Sequence, residues 1–92
     1  MAIEIKEGGF IVSNTSAAVV EISQTANKFR SSIVLQYENK FIDVKSILGL
    51  FTTLTGTGTY ALHIHGADAV EAEQELTKVF EKHNLKVEVI NE

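Results

Sequence analysis

The sequence predicts an α+β domain, an open-faced β-sandwich with three helices on one face of a four-stranded antiparallel sheet. Several segments alternate apolar and polar residues, so each presents one apolar face. Three others repeat apolar residues at helical spacing and need a surface on which to bury that stripe. The two kinds follow each other as β-α-β-β-α-β-α. Helices layered on one sheet face satisfy both demands and leave the other face to water.

Ala2 to Lys6 alternates with Ile3 and Ile5 on one side, a half-buried strand pattern. Gly8-Gly9 interrupts it, and Phe10-Ile11-Val12 either continues the strand or lines a loop. Ser13, Asn14, Thr15 and Ser16 are successive helix N-cap types, so a helix is expected to follow, to about Lys28. Its apolar stripe is Ala18, Val19, Ile22, Ala26 and Phe29. Ser32 to Tyr37 sets Ile33 and Leu35 against Val34, and Glu38-Asn39-Lys40 turns the chain into a return strand from Phe41 to Val44. Ser46 precedes a short helix reaching about Leu54, and Gly56 and Gly58 mark a turn. Thr59 to His65 puts Tyr60, Leu62 and Ile64 on one face and Ala61, His63 and His65 on the other. Asp68 is expected to cap a last helix from about Ala69 to His83, with Ala69, Ala72, Leu76, Val79 and Phe80 inward. Lys86 to Ile90 alternates weakly, as a small extra strand would.

Residues 1–92 read as a single domain without repeat or linker. A hydrophobic content of 45% suits a folded protein. There is no Cys, hence no disulfide or thiolate chemistry. No apolar run approaches the roughly 20 residues of a membrane span. Met1 to Gly9 carries charges where a signal peptide is apolar. A cytoplasmic protein is expected. The net charge is −4 and the 8 basic residues are scattered, which argues against nucleic acid as a partner.

Few residues suggest chemistry. His63 and His65 share a sheet face, but a structural zinc needs four ligands and a catalytic one usually three. His83 falls on a helix across the sheet, so solvated histidines are the better account and no metal or cofactor is expected. No Ser/His/Asp order, phosphate loop or inward carboxylate pair stands out. Gly56-Thr57-Gly58 lacks the Lys-Ser/Thr and helix of a P-loop. The protein is therefore not expected to be an enzyme. Ser13 to Ser16 offers either simple capping or an anion site at a helix start. Ser46 is a helix N-cap whose hydroxyl is also well placed for regulatory phosphorylation, because a phosphate there meets the positive end of the helix dipole. Ile47, Leu48, Leu50 and Phe51 exceed what one short buried stripe uses, so at least one should be exposed.

Val44-Lys45-Ser46-Ile47-Leu48-Gly49-Leu50, with the element order, resembles the HPr family of the sugar phosphotransferase system. Asn27-Lys28-Phe29, Thr53-Leu54, the Gly56/Gly58 turn and Gly66-Ala67-Asp68-Ala69 hold the same register. In that register the family's phosphoryl-accepting site falls on Ser13 to Ala18. Thr15 stands where carriers have their His, Ala17 where they have Arg, and Ala18 where they have Pro. A threonine phosphoester is too stable to relay its group, so the resemblance implies a relative that has lost phosphoryl relay. It also implies phosphorylation of Ser46 by a serine kinase/phosphorylase. Docking of a transcriptional regulator of carbon catabolite control would follow, through Ile47, Leu48 and Phe51. Loss of the Arg at Ala17 goes further than the family's known His-lacking relatives. The alternatives are a degenerate phosphocarrier in which another group accepts the phosphoryl, or an interaction module unrelated to phosphate. An edge strand, the Gly8-Gly9 hinge and the Val87-Glu88-Val89 tail each invite pairing, so a homodimer is a further expectation.

Overall fold

Segments rich in β-branched residues with one apolar face form strands that pair into a single sheet. These are β1 (Ser32–Tyr37), β2 (Lys40–Asp43), β3 (Thr59–His65) and β4 (Lys86–Asn91), in the spatial order β2-β1-β3-β4. Between and before them lie α1 (Ile11–Ala26), α2 (Ile47–Thr53) and α3 (Ala69–Lys82). The structure, a computed structural model, describes residues 11–54 and 59–91, with side chains described for residues 16–54 and 59–90. The expected strand Ala2 to Lys6 and the Gly56/Gly58 turn lie outside the described residues.

Alternation decides which side of the sheet is covered. Ile33 and Leu35 of β1 and Tyr60, Leu62 and Ile64 of β3 are buried beneath the helices. From above, Ala18, Val19, Ile22 and Ala26 of α1 and Ala72, Leu76, Val79 and Phe80 of α3 complete the core, as their spacing predicts. Phe29, past the end of α1, and Ala69 pack against this core only partly buried. His63 and His65 point to the opposite, open face, where His63 Nε2 lies 2.8 Å from Gln36 Oε1.

The structure departs from the sequence reading at His83, expected to be solvated but only 16% exposed and 2.7 Å from Glu21 Oε1, and in three features of its strands and helices. The sheet is mixed: β1 pairs antiparallel with β2 and β3, but β4 runs parallel to β3, with Tyr60 opposite Val87 and Leu62 opposite Val89. The reason is α3, which carries the chain back across the sheet so that the next strand enters in the direction of the previous one. Second, α1 is already helical at Ile11 and Val12, the first described residues, so Ser13 to Ser16 lie within the helix instead of capping it from outside. Third, the Asp68 side chain makes no cap bond to α3. Its carboxylate accepts hydrogen bonds from the Arg30 and Ser31 amides, each at 2.9 Å, and from the Ser31 hydroxyl.

That clamp joins the entry to β1 with the exit from β3, the neighbouring ends of the two central strands. Gly66 makes it feasible: its φ is +151°, and a Cβ there would lie 2.7 Å from the Ser31 Cα. The far end of α3 closes with a paired turn. Leu85 N–H donates to the Phe80 carbonyl and Asn84 N–H to that of Glu81, with Asn84 at φ +61°. This is the Schellman arrangement, which tolerates Asn in the left-handed region and turns the chain sharply into β4. Beside it Glu21 ties α1 to α3, receiving Lys82 Nζ at 3.0 Å and lying 2.7 Å from His83 Nε2. The His83 contact first, then Lys82, hold the Glu21 carboxyl below its ordinary range.

Gly66→Ala should destabilise the protein by about 1–3 kcal/mol in denaturant unfolding, since it combines a disfavoured φ with a backbone clash. The Ser31 hydrogen bond first, then the Arg30 amide, hold the Asp68 carboxyl below its ordinary value. A carboxylate with a lowered folded pKa contributes its stability in full above the unfolded pKa and loses it as pH falls through the folded value. Asp68→Asn should therefore lower the melting temperature at neutral pH and flatten the decline seen on acidification below about pH 4. Melting curves across that range check both effects.

Candidate functional site

The loop before α2 is held before the helix starts. Ser23 of α1, itself buried, donates its hydroxyl to the Lys45 carbonyl at 3.1 Å, and Asn27 Nδ2 donates to the same oxygen at 3.2 Å. Asp43 Oδ1 accepts from the Lys45 amide at 2.9 Å, and the Ser46 amide donates to the Asp43 carbonyl at 2.9 Å. The loop therefore has little freedom, and Ser46 enters α2 in an extended conformation suited to a cap. Its Oγ accepts from the Gly49 amide at 3.2 Å, as the sequence predicts. One hydrogen bond of the first turn is thus supplied by a side chain, and Ser46 remains exposed.

Seven residues make two turns, and a helix this short can bury only one side. Leu50 and Thr53 take that side. Ile47, Leu48 and Phe51 are left outside at 44, 76 and 43% exposure, so three of the four apolar residues face solvent where the sequence required at least one. They sit with Ser46 on one small surface: a hydroxyl at the helix start bordered by aliphatic and aromatic side chains. Val20 adds an exposed apolar residue on the outer side of α1, the helix packed beside α2. Sequence reasoning missed it because it lies off the buried stripe, which is itself the signal that could have found it.

Lys45 adjoins Ser46 in the chain, and its Nζ donates to the Phe29 carbonyl at 2.8 Å. That bond anchors the ammonium at the turn after α1. Thr15 lies in α1, and its side chain is outside the described residues. Among the described residues no group of three or more His, Cys, Asp or Glu is placed to hold a metal ion. No described helix is long and apolar enough to cross a membrane.

Residues 16–82 match the family model described as PTS HPr component phosphorylation site, a span that begins directly after Thr15. The HPr dimer of Thermoanaerobacter tengcongensis is similar in structure, with a TM-score of 0.68 and 30% identity over 89% of this chain and 92% of that one. The Bacillus subtilis catabolite repression containing protein Crh, a swapped dimer, gives 0.66 and 27% over 90% and 91%. Phosphocarrier protein HPr from Bacillus anthracis gives 0.60 and 29% over 68% and 76%.

Replacing the cap separates its structural role from the surface beside it. Ser46→Ala should cost about 1 kcal/mol in denaturant unfolding, the ordinary worth of an N-cap side chain. Leu48→Ser, at an exposed position, should stay within about 0.5 kcal/mol of the parent.

Proposed function

This chain belongs to the HPr family, and from that footing we propose that it is a regulatory member, phosphorylated on Ser46 and binding partner proteins in carbon catabolite control. HPr proteins are phosphocarriers of the sugar phosphotransferase system and not enzymes. Within the family the reading rests on one juxtaposition: the exposed Ser46 hydroxyl borders the exposed Ile47, Leu48 and Phe51. A phosphate on Ser46 would carry about −1.5 to −2 charge at the start of α2. First-turn amides and the helix dipole favour an anion there. The dianion with its apolar border suits a partner surface that offers Arg beside hydrophobic pockets, and repels an acidic one. The proposed partners are a serine kinase/phosphorylase and a transcriptional regulator of carbon catabolite control, in the cytoplasm.

Thr15 is the proposed occupant of the phosphohistidine position. Of the three histidines of the sequence, His63 and His65 stand on β3, and His83 follows α3, where its Nε2 lies 2.7 Å from Glu21 Oε1 of α1. A threonine ester does not pass its phosphoryl group on, so the proposed role is signalling through Ser46 without relay. Self-association is part of the same reading, since two of the similar structures are dimers.

Incubation with purified kinase and ATP should add one phosphate to the protein and none to Ser46→Ala, read by intact mass and site mapping. Incubation with the phosphoenolpyruvate-dependent enzyme of the system should add none. Phosphorylated protein should bind the transcriptional regulator at least tenfold more tightly than the unmodified form, and Leu48→Ser should remove most of that gain. A phosphate placed elsewhere by the kinase, or none, overturns the proposal and leaves Ser46 as a cap.

A further inference from the structure

β4 lies beyond the family match, which ends at residue 82, and it forms one edge of the sheet. Among the described strands nothing pairs with its outer side, so within the described sheet its outer row of backbone donors and acceptors has no ladder partner. Its side chains divide cleanly. Val87 and Val89 turn inward with Leu85 against the core but stay only partly buried, whereas the inward residues of β3 are fully covered. Lys86 and Glu88 turn to the open face and are exposed.

We propose that this edge pairs with the same edge of a second copy of the chain, antiparallel, about a two-fold axis at Val87. The proposal rests on the self-association reading above and names the surface that performs it. Residues opposite each other in an antiparallel pair share a sheet face. A two-fold axis relating a strand to itself must therefore pass at a residue, which leaves few registers. At Lys86 or at Glu88 it sets like charges directly opposite. At Val89 it sets Glu88 against the partner's Ile90 and Val87 against the partner's Asn91, so both the charge and the apolar match at the centre of the strand are lost. At Val87 it sets Lys86 against the partner's Glu88, and Glu88 against the partner's Lys86. The same register faces Leu85 and Val89 across the pair on the inner side. The other edge strand, β2, offers no equivalent, because Lys40 and Asp43 lie on opposite faces and can never be set against one another in this way. The product is a continuous eight-stranded sheet with both open faces on one side. Its contact is small, so the dimer is weak and forms at high protein concentration.

Sedimentation velocity over a concentration series tests this, with circular dichroism to verify folding of each variant. The parent should dimerise. Lys86→Glu and Glu88→Lys, both at exposed positions, should each weaken the dimer about tenfold or more, because each turns two attractive pairs into two repulsive ones. The double exchange should restore it. Mixing the two single variants should give a heterodimer at least as tight as the parent dimer, since one edge is then acidic and the other basic. No dimer in any sample overturns the self-association reading and this interface together. A dimer indifferent to the single exchanges, such as one made by exchange of the N-terminal segment, keeps the reading and overturns the interface. So does a double exchange that fails to rescue.

Discussion

Ile33, Leu35, Tyr60, Leu62 and Ile64 form one inward row across the two central strands, and each is almost wholly removed from water. Such burial contributes about 1.5–3 kcal/mol for each large apolar side chain, more than an ordinary neutral hydrogen bond. It also locks the register of β1 against β3. A one-residue slip of β1 would send Val34 beneath the helices and Ile33 and Leu35 into solvent, and one of β3 would do the same with His63 in exchange for Leu62 and Ile64. The helices take their places as the cover for this row. Tyr37 and Tyr60, with ring centroids 4.7 Å apart, extend it toward the hairpin.

The candidate site is a by-product of that cover. α1 and α3 supply long stripes and α2 only Leu50 and Thr53, so α2 presents most of its apolar residues outward. Polar contacts stabilise an arrangement that burial alone would not specify. Ser23 and Asn27 hold the Lys45 carbonyl, which sets where α2 begins and hence where Ser46, Ile47, Leu48 and Phe51 stand relative to α1. At the other end of β1, Asp68 and Gly66 perform the corresponding task for the central strands. An exposed apolar surface on so firmly held a loop presents a fixed shape to a partner, which lowers the ordering cost of binding.

Much of this was legible in the residues. The Ser46 cap, the apolar faces of β1 and β3, and the stripes of α1 and α3 each follow from local periodicity or from a side chain bonding a few residues away. The start of α1 was misread because four cap-type residues in succession looked like a boundary, yet Ile11 and Val12 are already helical. Asp68 was misread for a related reason. Its position before α3 suits a cap, but two amides and a hydroxyl from the loop before β1 lie within reach and outcompete the single amide a cap would satisfy.

The sequence by itself determined the faces: which side chains of each strand and helix are apolar together, how many helices must find a sheet, and which short helix carries more apolar surface than it can bury. Those properties are periodic and local. Only the tertiary structure decided the partners. Nothing in Lys86 to Asn91 specifies that it runs parallel to β3, nothing in Lys45 specifies Phe29, and nothing in Glu21 specifies Lys82 and His83. Each of these depends on distances between segments far apart in the chain, and such distances exist only once the inward row has drawn the sheet and its helices together.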